Sequence, residues 1–176
     1  QTWDFLARGE GFRNTIDLRG RGGIVHGNVH WTANFDEIQD FEIDIRNFFG
    51  GSGLVNESSD STFEEIRDPL CPEKKGASED LDALASYVSS LHSETLPRSP
   101  HRKPEGEMTD DAIEGVAVFK KLKCHSCHNP KTNFVDGKIH DIGTTIQNLS
   151  GNRLGGPLTG IETPTLLAIW ETSPYL

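Results

Sequence analysis

The chain has 176 residues, 34% of them hydrophobic and 25% charged, and its formal net charge is −10. This is a soluble globular composition, sufficient for one ordinary domain or two small ones. So acidic a surface repels phosphate and argues against nucleic acid as a partner, and no apolar run approaches the roughly 20 residues of a transmembrane helix.

The N-terminus opens directly on Gln1-Thr2-Trp3-Asp4, with no signal-peptide pattern. Residues 1–33 are rich in Gly and Arg and predict loops with a short strand. His26 and His30 are four apart, but Gly27 and the β-branched neighbours argue against a helix that would pair them. The stretch "NFDEIQDFEIDIRNFFGG" is the clearest helix. Phe35, Ile38, Phe41, Ile45 and Phe48 or Phe49 recur at helical spacing, acids open it, and Gly50-Gly51 ends it. Such an aromatic stripe reads as core.

Residues 51–76 are polar, are broken by Pro69 and Pro72, and read as a long loop. Cys71, in "RDPLCPEK", reads as a lone thiol. A second helix is predicted over 78–92, with Ser78 as N-cap and Leu81, Leu84, Ala85, Val88 and Leu91 as its apolar face. "LPRSPHRKPEGE" then carries three prolines and reads as a linker. A third helix is predicted over 110–123, capped by Thr109, with Ile113, Val116, Phe119 and Leu122 on its face. Near the end, Thr163 and Pro164 announce a short helix through "TLLAIW".

The third helix delivers the chain into "KCHSCHNP", where Cys124, Cys127 and His128 have the spacing Cys-x-x-Cys-His. Three chemistries use paired thiols at this spacing. Structural zinc needs four ligands, usually from two pairs, and only one pair is present. A thioredoxin-like dithiol follows a strand in a βαβ setting, whereas this motif follows a helix. Covalent haem uses every part of it: two thioethers to the porphyrin edge, from Cys124 and Cys127, and His128 as proximal iron ligand. Haem c is therefore the leading reading, with zinc and dithiol as rivals. Attachment of haem c outside the cytoplasmic membrane implies export, to the periplasm or an equivalent compartment. No sixth ligand stands out; Met108 and His140 are the candidates, each with a bland alternative as a linker or loop residue.

Several segments, in order, resemble the bacterial di-haem cytochrome c peroxidase family, which includes related enzymes acting on protein tryptophans. "GVAVFKKLKCHSCHNP" resembles the approach and haem motif of that family's C-terminal domain, and "HDIGTT" a loop after it. "TPTLLAIWETSPYL" resembles the segment before a family His-Asp-Gly stretch. "RNTIDLRG…HWTANFDEIQDFE" resembles the N-terminal domain just past its own haem motif. The resemblance implies a mostly α, cytochrome c-like fold of two lobes joined by a Pro-rich linker: residues 1–96 a partial N-terminal lobe lacking its haem motif, 97–108 the linker, and 109–176 the haem-bearing lobe. It implies an internal piece of a longer protein. It also aligns Trp31 with a tryptophan that relays electrons between the two haems. Asn14, Thr172 and Pro174 align with the side-chain and carbonyl ligands of an inter-domain calcium, oxygen donors that suit such an ion.

Two departures bear on activity. The family's distal histidine for the first haem falls near Leu6, and its peroxidase glutamate has no clear match in "DFEIDIRNFFGG". The functional expectation is electron transfer within a di-haem peroxidase-like oxidoreductase, its partner a redox protein or small electron donor and peroxide its candidate substrate. A mono-haem carrier is the alternative, and a zinc-stabilised interaction domain the non-haem rival.

Overall fold

Residues 2–6, 10–56, 73–145 and 158–172 are described in the computed structural model of the chain; Cys71 and Pro174 lie outside them. The first elements are strands. β1 (Thr2–Phe5) pairs antiparallel with β2 (Gly11–Asn14), in the register Thr2↔Asn14 to Phe5↔Gly11. This is more strand than residues 1–33 suggested. Trp3 and Phe5 alternate with polar neighbours and pack on Phe49 and Phe48, so period 2 holds locally.

The aromatic stripe forms one helical run over 38–48, labelled α1, but its geometry changes along its length. It opens as a 3-10 turn (Ile38–Asp40), continues for one α turn (Phe41–Ile43) and widens to π geometry (Asp44–Phe48). Its start is a reciprocal capping box between Glu37 and Asp40. The widening is visible in Phe49 N–H donating to the Asp44 carbonyl, 2.9 Å away. Phe35, Ile38 and Ile43 are buried, but Phe48 and Phe49 are exposed.

α2 (Glu79–Ser89) is capped by the Ser78 hydroxyl, which accepts from Leu81 N–H, and three acids fill its first turn. Its Ala85 and Val88 pack with Val29, Phe35 and Ile38 into one core cluster, and Leu81 with Val55 into a second. A buried ion pair braces α1: Glu42 accepts from Arg46 Nε at 2.6 Å and from the N–H groups of Leu54 and Val55.

The proline-rich stretch 97–108 runs as turns, with Arg102 bridged to Met108. α3 (Asp110–Lys121) follows, capped by Thr109 and carrying acids at its start and lysines at its end, as the helix dipole favours. β3 (Ile139–His140) and β4 (Ile161–Glu162) form a second two-stranded antiparallel sheet. The helix expected behind Thr163 does not form as such. Thr163 N–H donates instead to the Lys138 carbonyl, Thr165 Oγ1 donates to the Asn133 carbonyl, and only a 3-10 turn (Ile169–Glu171) follows.

Residues on either side of the stretch 97–108 meet at several points. Arg13 donates to the Thr144 carbonyl at 3.1 Å, Asn14 Nδ2 to the Thr172 carbonyl at 2.6 Å, and Glu162 N–H to the Trp31 carbonyl at 2.9 Å. Arg19 bridges Asp17 and Glu171. No helix among the described residues is long and apolar enough to cross a membrane.

Candidate haem-attachment site

α3 ends where Lys123 adopts φ 61°, a left-handed conformation that turns the chain sharply. A 3-10 turn (Cys124–Ser126) follows at once. The Cys124 carbonyl accepts from both Cys127 N–H, at 3.3 Å, and His128 N–H, at 2.9 Å. One carbonyl thus gathers all three residues of the motif into a single tight loop. Both cysteines are free thiols and half-buried.

The His128 ring is fixed from its Nδ1 side, which lies 2.9 Å from the Phe134 carbonyl. A carbonyl only accepts, so Nδ1 donates and carries the proton of the neutral ring. Nε2 then keeps its lone pair, and no hydrogen-bond partner for it occurs among the described residues. This is the arrangement a metal-ligating imidazole requires, because the remote hydrogen bond sets both tautomer and orientation. The Phe134 carbonyl is aimed by two successive left-handed residues, Asn133 (φ 55°) and Phe134 (φ 64°). Phe134 N–H returns to the Asn129 carbonyl at 2.8 Å and closes the loop.

Of the face expected on α3, Ile113 is 57% exposed and Leu122 67%, Val116 and Phe119 are half-buried, and Val118, off that face, is 53% exposed; none is buried. Ile142 is also largely exposed. Within the described residues, the helix entering the motif buries no side chain, whereas α2 buries Leu81, Ala85 and Val88.

Of the distal candidates, His140 has Nε2 hydrogen-bonded to Asp136 Oδ2 at 2.8 Å, and Met108 sits in the turn that bridges to Arg102. Asp136 was not legible as a site residue; its only trace in the sequence is its place four residues before His140. Burial pushes its carboxyl up, but hydrogen bonds from His140, Thr163 and the Lys138 N–H outweigh this and hold it below the ordinary range.

Trp31 lies at the meeting of the two halves. Its indole donates to the Asn14 carbonyl at 3.1 Å while its own carbonyl accepts from Glu162. It also lines a largely apolar cavity of about 370 Å³, with Trp3, Phe5, Phe41, Phe49 and Val88 among the walls. His30, in the same wall, has both ring nitrogens engaged, Nδ1 with Asn34 at 2.9 Å and Nε2 with Asp44 at 3.0 Å. The structure brings two of the three aligned calcium residues together, Asn14 and Thr172. Here the Asn14 amide nitrogen faces Thr172, and Oδ1 accepts from Thr15 N–H at 3.1 Å. Turning that amide would set two hard oxygens side by side. No known protein family, curated protein or solved structure matches the chain.

Proposed function

We propose that this chain binds haem c through Cys124, Cys127 and His128 and serves electron transfer as part of a di-haem peroxidase-like oxidoreductase. The observation that carries the reading is the His128 imidazole, proton-bearing at Nδ1 against the Phe134 carbonyl and with Nε2 left to a metal. Two free thiols in the same backbone loop as the histidine suit thioether formation. The uncovered apolar face of α3 supports a flat apolar group against it, since such surface is stabilised by removal from water.

When bound, the haem would supply one-electron chemistry. The chain's own part would be to hold the iron with His128, whose tautomer and orientation the Phe134 hydrogen bond sets. The position of Trp31, bonded to both halves and lining an apolar cavity on the N-terminal side, supports the relay role that the family resemblance implies. The apposition of Asn14 and Thr172 supports a calcium there by the same resemblance.

The test is spectroscopic. The chain, co-expressed with a haem c attachment system and exported, is denatured and extracted with acid–acetone. A Soret band that stays with the polypeptide is expected. His128→Ala should keep the covalent pigment and alter its ligand-field and Soret positions. Pigment lost entirely to the organic phase, or a His128→Ala spectrum identical to the parent's, would overturn the assignment.

A further inference from the structure

Cys127 belongs to a second constellation besides the haem motif. An imidazole nitrogen of His140, a carboxylate oxygen of Asp136 and the Cys127 sulfur all lie within 4.8 Å of one another. We propose that before haem is attached, Cys127, Asp136 and His140 bind a thiophilic divalent cation of the zinc class, with Cys124 left outside the coordination sphere.

Three protein donors of mixed sulfur, nitrogen and oxygen type, with a fourth position open to water, form a recognised zinc arrangement. Zinc bonds of about 2.0–2.3 Å in a tetrahedron set ligand atoms roughly 3.5 Å apart. With every pair of donors inside 4.8 Å, the cluster needs a closure of no more than about 1 Å on any side, within the reach of side-chain rotation.

The three donors are held from independent directions. Cys127 is tied into the motif turn through its N–H to the Cys124 carbonyl. Asp136 uses Oδ1 to accept from Lys138 N–H at 3.0 Å, which leaves Oδ2 directed at His140. His140 is paired with Ile161 across β3 and β4. The cluster is reachable from solvent, the His140 side chain being 36% exposed and that of Asp136 16%. No lysine or arginine forms an ion pair with Asp136 among the described residues.

Binding exchanges the Cys127 S–H bond for a sulfur–metal bond and releases one proton to solvent, while the imidazole of His140 gives up its hydrogen bond to Asp136 and its proton passes from Nε2 to Nδ1, freeing the Nε2 lone pair for the cation. No electrons are transferred. The sulfur lone pair so used is the one that thioether formation requires, so cation and haem compete for Cys127. Occupancy would mask the thiol until the cation is withdrawn. This inference stands apart from the haem assignment, because it concerns the haem-free chain and singles out one cysteine rather than two.

The experiment uses the full 176-residue chain, produced without haem attachment and reduced, titrated with Co²⁺ and Zn²⁺. The expected Co²⁺ complex is tetrahedral, with thiolate-to-metal charge transfer of one sulfur and one proton released per metal. Cys127→Ser, Asp136→Asn and His140→Ala should each weaken Zn²⁺ binding by at least the roughly 10–100-fold that loss of even an outer partner costs a metal site. Cys124→Ser should leave it unchanged. Zn²⁺ should slow alkylation of Cys127 but not of Cys124, read by mass spectrometry on the unaltered chain, which settles the matter even where a variant misfolds. A loss in Cys124→Ser equal to that in Cys127→Ser would identify simple dithiol chelation and overturn the proposal. So would equal protection of both thiols, or no binding at all.

Discussion

Gly160 permits the closest backbone approach near the candidate site, and replacing it isolates that approach. A Cβ built on Gly160 would stand 2.4 Å from the His140 carbonyl oxygen, 2.5 Å from its carbon and 2.8 Å from Asp141 N. Ordinary contacts with carbon lie at roughly 3.5–4.0 Å, and every atom here is backbone, so no side chain can swing away. Gly160→Ala must therefore push the segment before β4 from the end of β3 by about 1 Å. The ladder between them has only two residue pairs, Ile139↔Glu162 and His140↔Ile161, and a separation of that size breaks one of its hydrogen bonds.

Overpacking of this kind costs about 1–3 kcal/mol, and each bond lost adds about 1 kcal/mol. A total of roughly 2–4 kcal/mol lowers the melting temperature by about 4–16 °C for a chain of this size. Gly115→Ala is the matched control. It lies exposed within α3, a Cβ there meets nothing within 4 Å, and alanine in a helix is favoured over glycine by about 1 kcal/mol. The two substitutions, chemically identical, should shift thermal unfolding followed by circular dichroism in opposite directions. Gly160→Ala melting at or above the parent temperature would refute the close approach and the placement of His140 that depends on it.

Three further outcomes follow from the site and its surroundings. Cys124→Ala or Cys127→Ala should leave haem held by a single thioether, seen as a red-shifted pyridine haemochrome and lower pigment yield; an unshifted spectrum in both would contradict attachment at this loop. Burial raises the Asp40 carboxyl to about 6 and the Glu162 carboxyl to about 7, against the opposing pull of Lys74 and Arg21. The folded state then binds more protons than the unfolded, so these groups' contribution is fully present below their ordinary values and is lost as pH rises through about 6 to 7. The melting temperature should fall across that interval, with Glu162→Gln flattening its upper part; an unchanged slope in that variant would exclude Glu162. Chelation of calcium should lower the melting temperature of the parent chain and not of Asn14→Ala, and equal responses in the two would remove Asn14 from any cation site.

Local chemistry made the helices legible. Ser78 and Thr109 cap α2 and α3 because their hydroxyls accept from N–H groups three residues on, and Leu81, Ala85 and Val88 are buried at the spacing that a helix imposes. The stripe over 35–49 reads as core, which holds for Phe35 and Ile38 but not for the exposed Phe48 and Phe49, and its change to π geometry has no signature in periodicity. It accompanies contacts from outside, notably Asp44 engaging His30 and Glu42 engaging the backbone at 54–55. The stretch after Thr163 looked helical by composition. Long-range bonds to Lys138 and Asn133 win there, since they satisfy backbone and hydroxyl groups a short helix would leave unpaired. In the site, the motif announced Cys124, Cys127 and His128. The Phe134 carbonyl and Asp136 were hidden, because a backbone acceptor has no residue type and a lone loop aspartate has no pattern. The meeting of Asn14 with Thr172 spans 158 positions, and only the family resemblance pointed to it.

The same arrangement bears on what the chain should do alone. Reduction of a peroxide takes two electrons, and the sequence holds one Cys-x-x-Cys-His motif, hence one stored electron when the chain is loaded and reduced. Trp31 is built into the junction from both sides, its indole on Asn14 and its carbonyl on Glu162; in the proposed relay it would pass charge rather than supply it. Cleavage of the peroxide bond also calls for a positioned acid–base group beside the open iron face. The buried carboxylates of α1 are otherwise engaged, Glu42 by Arg46, Asp40 by Lys74 and Asp44 by His30. His140 is committed to Asp136. The haem-loaded chain should therefore exchange single electrons with small mediators in stopped-flow mixing, yet turn over hydrogen peroxide no faster than a free haem peptide does. Sustained peroxidase turnover well above that reference would show that both an acid–base group and a second electron source reside within these residues, and the one-electron relay reading would fall.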